Sequence, residues 1–403
     1  HRQKQRQACK QLREKVMSDT RCPLLWNHLC VHTTDTVTPC CRTDHADARK
    51  NQGFWNTASV TETIFSKYHI QARQDMREGK RVVACNICYY QEDQGLHSAR
   101  QLLISQYPHI NYDQEPTQVE ELDVKFNNTC NLGCRMCSPG SSSLSNSIAK
   151  RIPLEDRFCQ YNTVADSTVF NEQEKLDTAK QLIKNGLKNL KATGGEPFVQ
   201  THFLELIDWC IEHGYNKNLS LDITTNLILF NRKTFEKFLT FKKVTLCISI
   251  DGHGDTYNYI RYKSDWDKLV KNLDIIGETE YEHFKWRVSC VLQIYNVFNI
   301  RELSRFLWLK KYKNYTHLVV DTYIKPYDKN ELNVKNLPDE LLEQVYMPDN
   351  KPKKYIAGLI GQQKNEFLLK EFARKTKIYD QYMNQSYTVL DQRIVDLINS
   401  YEE

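Results

Sequence analysis

Cys130, Cys134 and Cys137 stand in the run Cys-Asn-Leu-Gly-Cys-Arg-Met-Cys. Three thiolates on one short loop can ligate three irons of a 4Fe-4S cluster and leave the fourth iron open to another ligand. A structural zinc site would close its tetrahedron with a fourth protein ligand, and the flanking sequence offers no further Cys or His. Five more cysteines lie upstream in the runs Cys22-Pro23-Leu24-Leu25-Trp26, Val37-Thr38-Pro39-Cys40-Cys41 and Cys85-Asn86-Ile87-Cys88. Cys22, Cys40, Cys85 and Cys88 make four thiolates, enough to close a second 4Fe-4S site completely. A structural zinc on the same four, or plain reduced cysteines, are the competing readings. In an extended chain Cys41 points away from Cys40 and reads as spare, with the choice between the two left open. The remaining six of the fourteen cysteines, Cys9, Cys30, Cys159, Cys210, Cys247 and Cys290, read as small buried hydrophobes. His28, His32 and His45 read as hairpin or solvated residues rather than ligands.

These residues need a scaffold. Six strand-length apolar segments, at 122–126, 187–192, 219–224, 244–250, 287–294 and 317–324, alternate with helix-period segments, clearest at 201–213, 266–276 and 300–310. Strand, helix, strand in repetition predicts a parallel sheet, either doubly wound or an open (β/α)6 barrel. The cysteine triplet directly follows the first of these strands. Ahead of it, residues 21–100 predict a hairpin (25–32, a turn at 33–35, then 37–40) and a helix over about 59–78, organised around metal. Residues 1–20 form a basic arm and 115–330 the α/β unit. Residues 331–403 predict a polar helical extension, with a basic stretch at 351–354 and an amphipathic one at 367–372, read as a solvated cap or dimer surface. Residues 139–147 read as a serine-rich loop. The 403 residues, 26% charged and 40% hydrophobic, exclude a peptide hormone, a collagen or a disordered tail. No stretch approaches the ~18 apolar residues of a membrane helix, and the first residues lack a signal-peptide h-region, so a cytoplasmic protein is expected. The net charge of +5 comes from interspersed residues, which argues against a nucleic-acid partner.

The spacing Cys-x3-Cys-x2-Cys after a first strand, followed by Thr193-Gly194-Gly195-Glu196-Pro197, resembles the radical S-adenosylmethionine enzymes, and residues 119–326 look like that family throughout. The resemblance implies an open (β/α)6 partial TIM barrel. It also implies a cluster on Cys130, Cys134 and Cys137 whose open iron is chelated by the methionine end of S-adenosylmethionine. One electron then cleaves the sulfonium to a 5'-deoxyadenosyl radical, which takes a hydrogen atom from substrate. Gly194 and Gly195 would let backbone approach the methionyl amine and Glu196 would accept its hydrogen bond, although Gly-Gly-Glu-Pro is also an ordinary turn. The fourth strand ends Cys247-Ile248-Ser249-Ile250-Asp251-Gly252, and alternation puts Ser249 and Asp251 on one face, in reach of ribose hydroxyls at a barrel mouth. A capped strand end is the bland alternative. Arg261 stands where the family often keeps an arginine for the methionyl carboxylate, and Asn226 is similar to another cofactor-side position. Leu227 replaces a common glycine, and Met136 a common aromatic.

The upstream cysteines, with Glu92, Ser98 and Arg100 beyond them, resemble the twitch domain that holds an auxiliary cluster. Two features differ: Asp35 stands where glycine is usual, and the domain precedes the barrel instead of following it. The implied auxiliary 4Fe-4S cluster would take the second electron from a substrate radical. Oxidation or crosslinking of a peptide or protein side chain is the expected outcome, with an electron donor such as flavodoxin or ferredoxin. A small-molecule (sugar or nucleotide) dehydrogenase is one alternative. A redox-neutral epimerase, with Cys247 or Cys290 returning the hydrogen atom, is another. From a different class, a zinc-stabilised binding module would carry no iron.

Overall fold

The computed structural model describes residues 20–33, 36–43, 60–93, 98–158, 171–321 and 331–401. Cys9, Asp35, His45 and Cys159, the basic arm before Thr20 and the end of the sixth expected strand lie outside the described residues. The strands among them are β1 (His28–Val31), β2 (Val37–Thr38), β3 (Glu121–Val124), β4 (Gly133–Cys134), β5 (Asn189–Ala192), β6 (Ser220–Thr225), β7 (Lys243–Ser249), β8 (Arg261–Tyr262), β9 (Phe284–Val291) and β10 (Tyr315–Asp321). The fold is α/β with mostly parallel pairing. It divides into two compact units, His1–Phe126 with Phe170–Lys191 and Asn127–Val169 with Ala192–Glu403.

In the first unit β1 and β2 form the expected hairpin, Cys30 opposite Thr38. β1 also pairs in parallel with β3, His28 opposite Glu121, so hairpin and first α/β strand share a sheet. Residues 25–27, expected as strand, belong to a helical turn, Leu24–Asn27. Pro23, with φ of −60°, presets that start, and the turn buries Leu25 and Trp26 against Ala72, Met76, Val82 and Ala84. The helix expected over 59–78 is broken into Val60–Thr63 and Lys67–Arg77. Ser66 causes the break: it is extended, and its hydroxyl accepts from the His69 N–H, capping the second helix. Lys175, on the helix Glu172–Lys184, is buried yet satisfied. Its ammonium donates to the carbonyls of His32, Lys125 and Phe126, at 2.9, 3.1 and 3.1 Å. A buried cation is tolerable only with such a donor-for-donor match.

In the second unit β6, β7, β9 and β10 run parallel in that order of pairing. The helices Arg232–Phe238, Trp266–Gly277 and Ile300–Lys310 occupy the connections. On β7, Val244, Leu246 and Ile248 are wholly buried while Thr245, Cys247 and Ser249 share the other face. The stretch expected as a serine-rich loop is instead a 3-10 turn, Pro139–Ser141, and a helix, Ser143–Ala149. Ser142 caps that helix by accepting from Ser145 N–H, and Ile148 and Ala149 bury its inner side. The C-terminal region is helical as expected, over Asn350–Leu359, Glu366–Met383 and Gln392–Asn399. It is not simply a solvated cap, since Leu369, Phe372, Ala373 and Tyr379 are buried. No helix among the described residues is long and apolar enough to cross a membrane.

Candidate active site and thiol cluster

The loop carrying Cys130, Cys134 and Cys137 is pinned by the serines that follow it. Ser143 Oγ accepts from Cys130 N–H at 3.1 Å, Ser142 Oγ donates to the Leu132 carbonyl at 2.7 Å, and Ser143 N–H donates to the Asn128 carbonyl at 2.7 Å. On the other side β4 pairs with β8, Gly133 opposite Tyr262 and Cys134 opposite Arg261. Arg135 N–H extends this stitch to the Ile260 carbonyl at 2.9 Å.

Side chains from two strand ends converge on these thiols. Asn226, just after β6, points its Nδ2 at Cys130 Sγ (4.0 Å) and donates to Asn131 Oδ1 (2.9 Å). Arg261 Nη1 lies 3.7 Å from Cys134 Sγ, and its Nη2 pairs with Asp251 at 2.7 Å. Asp251 is wholly buried and also accepts from Val291 N–H at 2.7 Å. The two residues read from sequence as separate cofactor contacts are therefore partners of each other: Asp251 holds the guanidinium beside Cys134. Burial opposes the charge on Arg261, but Asp251 and Cys134 outweigh it and raise its pKa. Burial pushes the Cys134 thiol up to about 12, with Arg261 pulling the other way, and burial raises Cys130 as well.

Glu196 is buried, and its carboxylate accepts from Thr225 Oγ1 (2.6 Å), Asn226 N–H (2.8 Å) and Phe198 N–H (3.3 Å). A carboxylate offers about four acceptor positions, so one remains for a further donor. Burial raises its pKa against those bonds and Arg261. Gly194 and Gly195 have φ of 76° and 58°, where a side chain is strained. A Cβ on Gly195 would meet the Thr129 carbonyl oxygen at 2.4 Å. Leu227 has φ of 61°: the position where glycine is common does adopt the left-handed backbone, and a leucine bears it. Ser249 is half-buried at the end of β7, on the Cys247 face.

Three residues of this site escaped the sequence reading. Tyr257 is wholly buried next to Arg261, Cys134, Asp251 and Glu196, and its hydroxyl has no hydrogen-bond partner among the described residues. Arg135 and Asp380 form a buried ion pair. No local motif marks any of them.

In the first unit the thiols of Cys22, Cys40, Cys85 and Cys88 lie within electrostatic reach of one another. Burial raises Cys22, reinforced by Cys40 and Cys88. Burial raises Cys85, reinforced by Cys22, Cys40 and Cys88. Cys40 is pushed up to about 12 by burial, then by Cys41 and Cys88. Besides its chain neighbour Cys40, Cys41 acts on Cys30 and Lys125. Supporting contacts surround the four. Thr38 and Thr43 hydroxyls both donate to the Cys40 carbonyl at 2.9 Å, and His28 Nδ1 donates to the Pro39 carbonyl at 2.7 Å. Arg100 pairs with Glu92 at 2.5 Å and donates to the Arg21 carbonyl at 2.8 Å, while Ser98 donates to Glu92. Among the described residues no group of three or more His, Cys, Asp or Glu side chains is disposed to hold a single metal ion.

The donor set suits a cluster with a small organic cofactor. Thiols lie beside a guanidinium, a glycine, Gly195, with no room for a side chain and, among the described residues, a buried phenol hydroxyl and an Arg261 Nε without hydrogen-bond partners. Residues 124–307 match the family model of the Radical SAM superfamily. The matched segment, a little under half of the chain, is similar to the radical SAM enzymes. The chain is 30% identical over 161 residues to the GTP 3',8-cyclase of Campylobacter fetus subsp. fetus (strain 82-40), covering 39% of this chain and 42% of that relative. It is 25% identical over 173 residues to the molybdenum cofactor biosynthesis protein 1 of Dictyostelium discoideum, covering 42% and 24%. The chain thus spans less than half the length of these relatives. Among solved structures, SuiB of Streptococcus suis bound to S-adenosylmethionine aligns with a TM-score of 0.39 at 17% identity, covering 72% of this chain and 57% of that one.

Proposed function

We propose that Cys130, Cys134 and Cys137 hold a 4Fe-4S cluster and that Gly194, Gly195, Glu196, Asn226, Ser249 and Arg261 surround S-adenosylmethionine, with Asp251 acting through Arg261. The convergence of Asn226 and Arg261 on the Cys130 and Cys134 thiols carries this reading. When bound, cluster and cofactor supply one-electron cleavage of a sulfonium and a carbon radical that abstracts hydrogen from substrate. The chain's own part is placement. Gly195 brings backbone close to the loop, Glu196 keeps one acceptor position for an ammonium, and Arg261 offers a buried cation to a carboxylate. Cys22, Cys40, Cys85 and Cys88 would hold an auxiliary 4Fe-4S cluster with every iron thiolate-bound, suited to accepting an electron but not to binding substrate. Oxidation or crosslinking of a peptide or protein side chain, fed by a flavodoxin- or ferredoxin-type donor, follows from that division of labour. A nucleotide substrate is the second reading, favoured by the GTP 3',8-cyclase relative.

The test is anaerobic reconstitution of the full chain followed by iron and sulfide analysis and dithionite-dependent formation of 5'-deoxyadenosine. Replacing Cys130, Cys134 and Cys137 together by Ala should abolish 5'-deoxyadenosine and remove one cluster's worth of iron while the rest stays. Undiminished cleavage in that variant would reject the assignment. Turnover of GTP by the parent would move the nucleotide reading ahead.

A further inference from the structure

The loop between the second and third cysteines carries Arg135, whose side chain is fully buried. Its partners come from a distant part of the sequence. Arg135 Nη2 pairs with Asp380 and donates to Gln385 Oε1 at 3.0 Å, and its Nε donates to the Tyr259 carbonyl at 3.1 Å. The guanidinium lies 3.8 Å over the Tyr259 ring. Asp380 also accepts from Tyr259 Oη at 2.8 Å and from Tyr387 N–H at 2.6 Å. The same helix, Glu366–Met383, contributes Tyr379 and Met383 to a small hollow lined by Cys134, Cys137, Pro139 and Ile148.

We propose that Asp380 is a positioning residue for the cysteine loop: by neutralising and orienting Arg135 it locks Cys134 and Cys137, so that the C-terminal helix serves as the clamp of the cluster site. This rests on the reading of Cys130, Cys134 and Cys137 as cluster ligands. Two buried charges are costly to bring together unless they meet in good geometry. Removing one strands the other, whereas removing both is often close to neutral. Helix packing alone would not need the pair, because Phe372 and Ala373 are already buried on that helix.

The experiment compares the reconstituted full-length parent with Asp380→Asn, Arg135→Met, the double variant, and Arg374→Gln as a same-helix control whose pairs with Glu371 and Asp156 are partly exposed. The iron missing from the Cys130→Ala, Cys134→Ala, Cys137→Ala protein defines the loop iron. The readouts are the rate at which a chelator removes that iron and the electron paramagnetic resonance spectrum of the reduced protein with and without S-adenosylmethionine. Asp380→Asn should release loop iron at least tenfold faster and change the spectrum, Arg374→Gln should do neither, and the double variant should recover most of the loss. If Asp380→Asn does not fold, Arg135→Met and the double variant carry the same comparison: the double should hold iron at least as well as the single. Parent-like release and spectrum in a folded Asp380→Asn, or a double variant no better than the product of its singles, overturns the proposal. A parent that holds no loop iron overturns the cluster reading itself, and is recognised by a parent and triple variant with equal iron.

Discussion

Gly195→Ala is the sharpest probe of how the second unit builds its site. At φ of 58° an alanine is strained, at roughly 1 to 2 kcal/mol. Its Cβ would also sit 2.4 Å from the Thr129 carbonyl oxygen and 2.7 Å from Gln200 Nε2. A carbon rests no closer than about 3.3 Å to such an oxygen, so backbone must retreat by roughly 0.9 Å. That carbonyl accepts from Glu196 N–H at 2.8 Å, a bond worth about 1 kcal/mol, and overpacking of this kind costs about 1 to 3 kcal/mol. The expected destabilisation is therefore about 3 to 6 kcal/mol. Gly214→Ala is the matched control: φ is 74°, and nothing lies within 4 Å of the added carbon, so only the strain of about 1 to 2 kcal/mol applies. Urea unfolding of both variants, with iron uptake by the loop in parallel, separates strain from collision. A Gly195→Ala protein within about 0.5 kcal/mol of Gly214→Ala, taking up loop iron normally, would refute the close approach between the glycine pair and the cysteine loop.

Two further outcomes are expected. In a Cys130→Ala, Cys134→Ala, Cys137→Ala background, Cys40→Ala should lose the remaining iron and Cys41→Ala should keep it, because Cys40 acts electrostatically on Cys22 and Cys85 whereas Cys41 acts on Cys30 and Lys125; iron analysis showing loss in the Cys41 variant would reverse the assignment. Burial, aided by Arg73, lowers His69 from 6.5 to about 3, so its folded form stays neutral and its contribution is present above pH 6.5 and lost as pH falls toward 3, by up to about 1.4 kcal/mol per pH unit. Urea midpoints of the parent and His69→Gln at pH 7 and pH 5 should show a steeper acid loss in the parent, and parallel curves would contradict this.

The parallel strands were legible because each is a run of alternating or wholly apolar residues, and 244–250 against Lys243–Ser249 shows how little the ends moved. Local capping was less legible. Ser66 interrupts a continuous helical period by turning its own backbone extended, and Ser142 starts a helix inside what reads as a polar loop. At the site the cysteines announced themselves by spacing. The Asp251–Arg261 pair did not, since both residues have the chemistry to face a ligand and only the fold shows that they face each other. Arg135 and Asp380 lie 245 positions apart, beyond any periodic or motif signal.

That separation has a consequence during synthesis. At about 5 to 20 residues per second, a ribosome that has just made Arg135 needs roughly 12 to 50 seconds more to reach Asp380, 245 positions on. β8, which stitches the other side of the loop, is also made long after β4. Until β8 emerges the loop lacks that stitch, and until Asp380 emerges the nascent chain lacks the partner of Arg135, so the three thiols stay less protected from oxygen and stray metal ions. Delivery of iron and sulfide is thereby favoured after release of the finished chain, and a translation pause between Tyr262 and Asp380 would lengthen the vulnerable period without altering a single residue of the product.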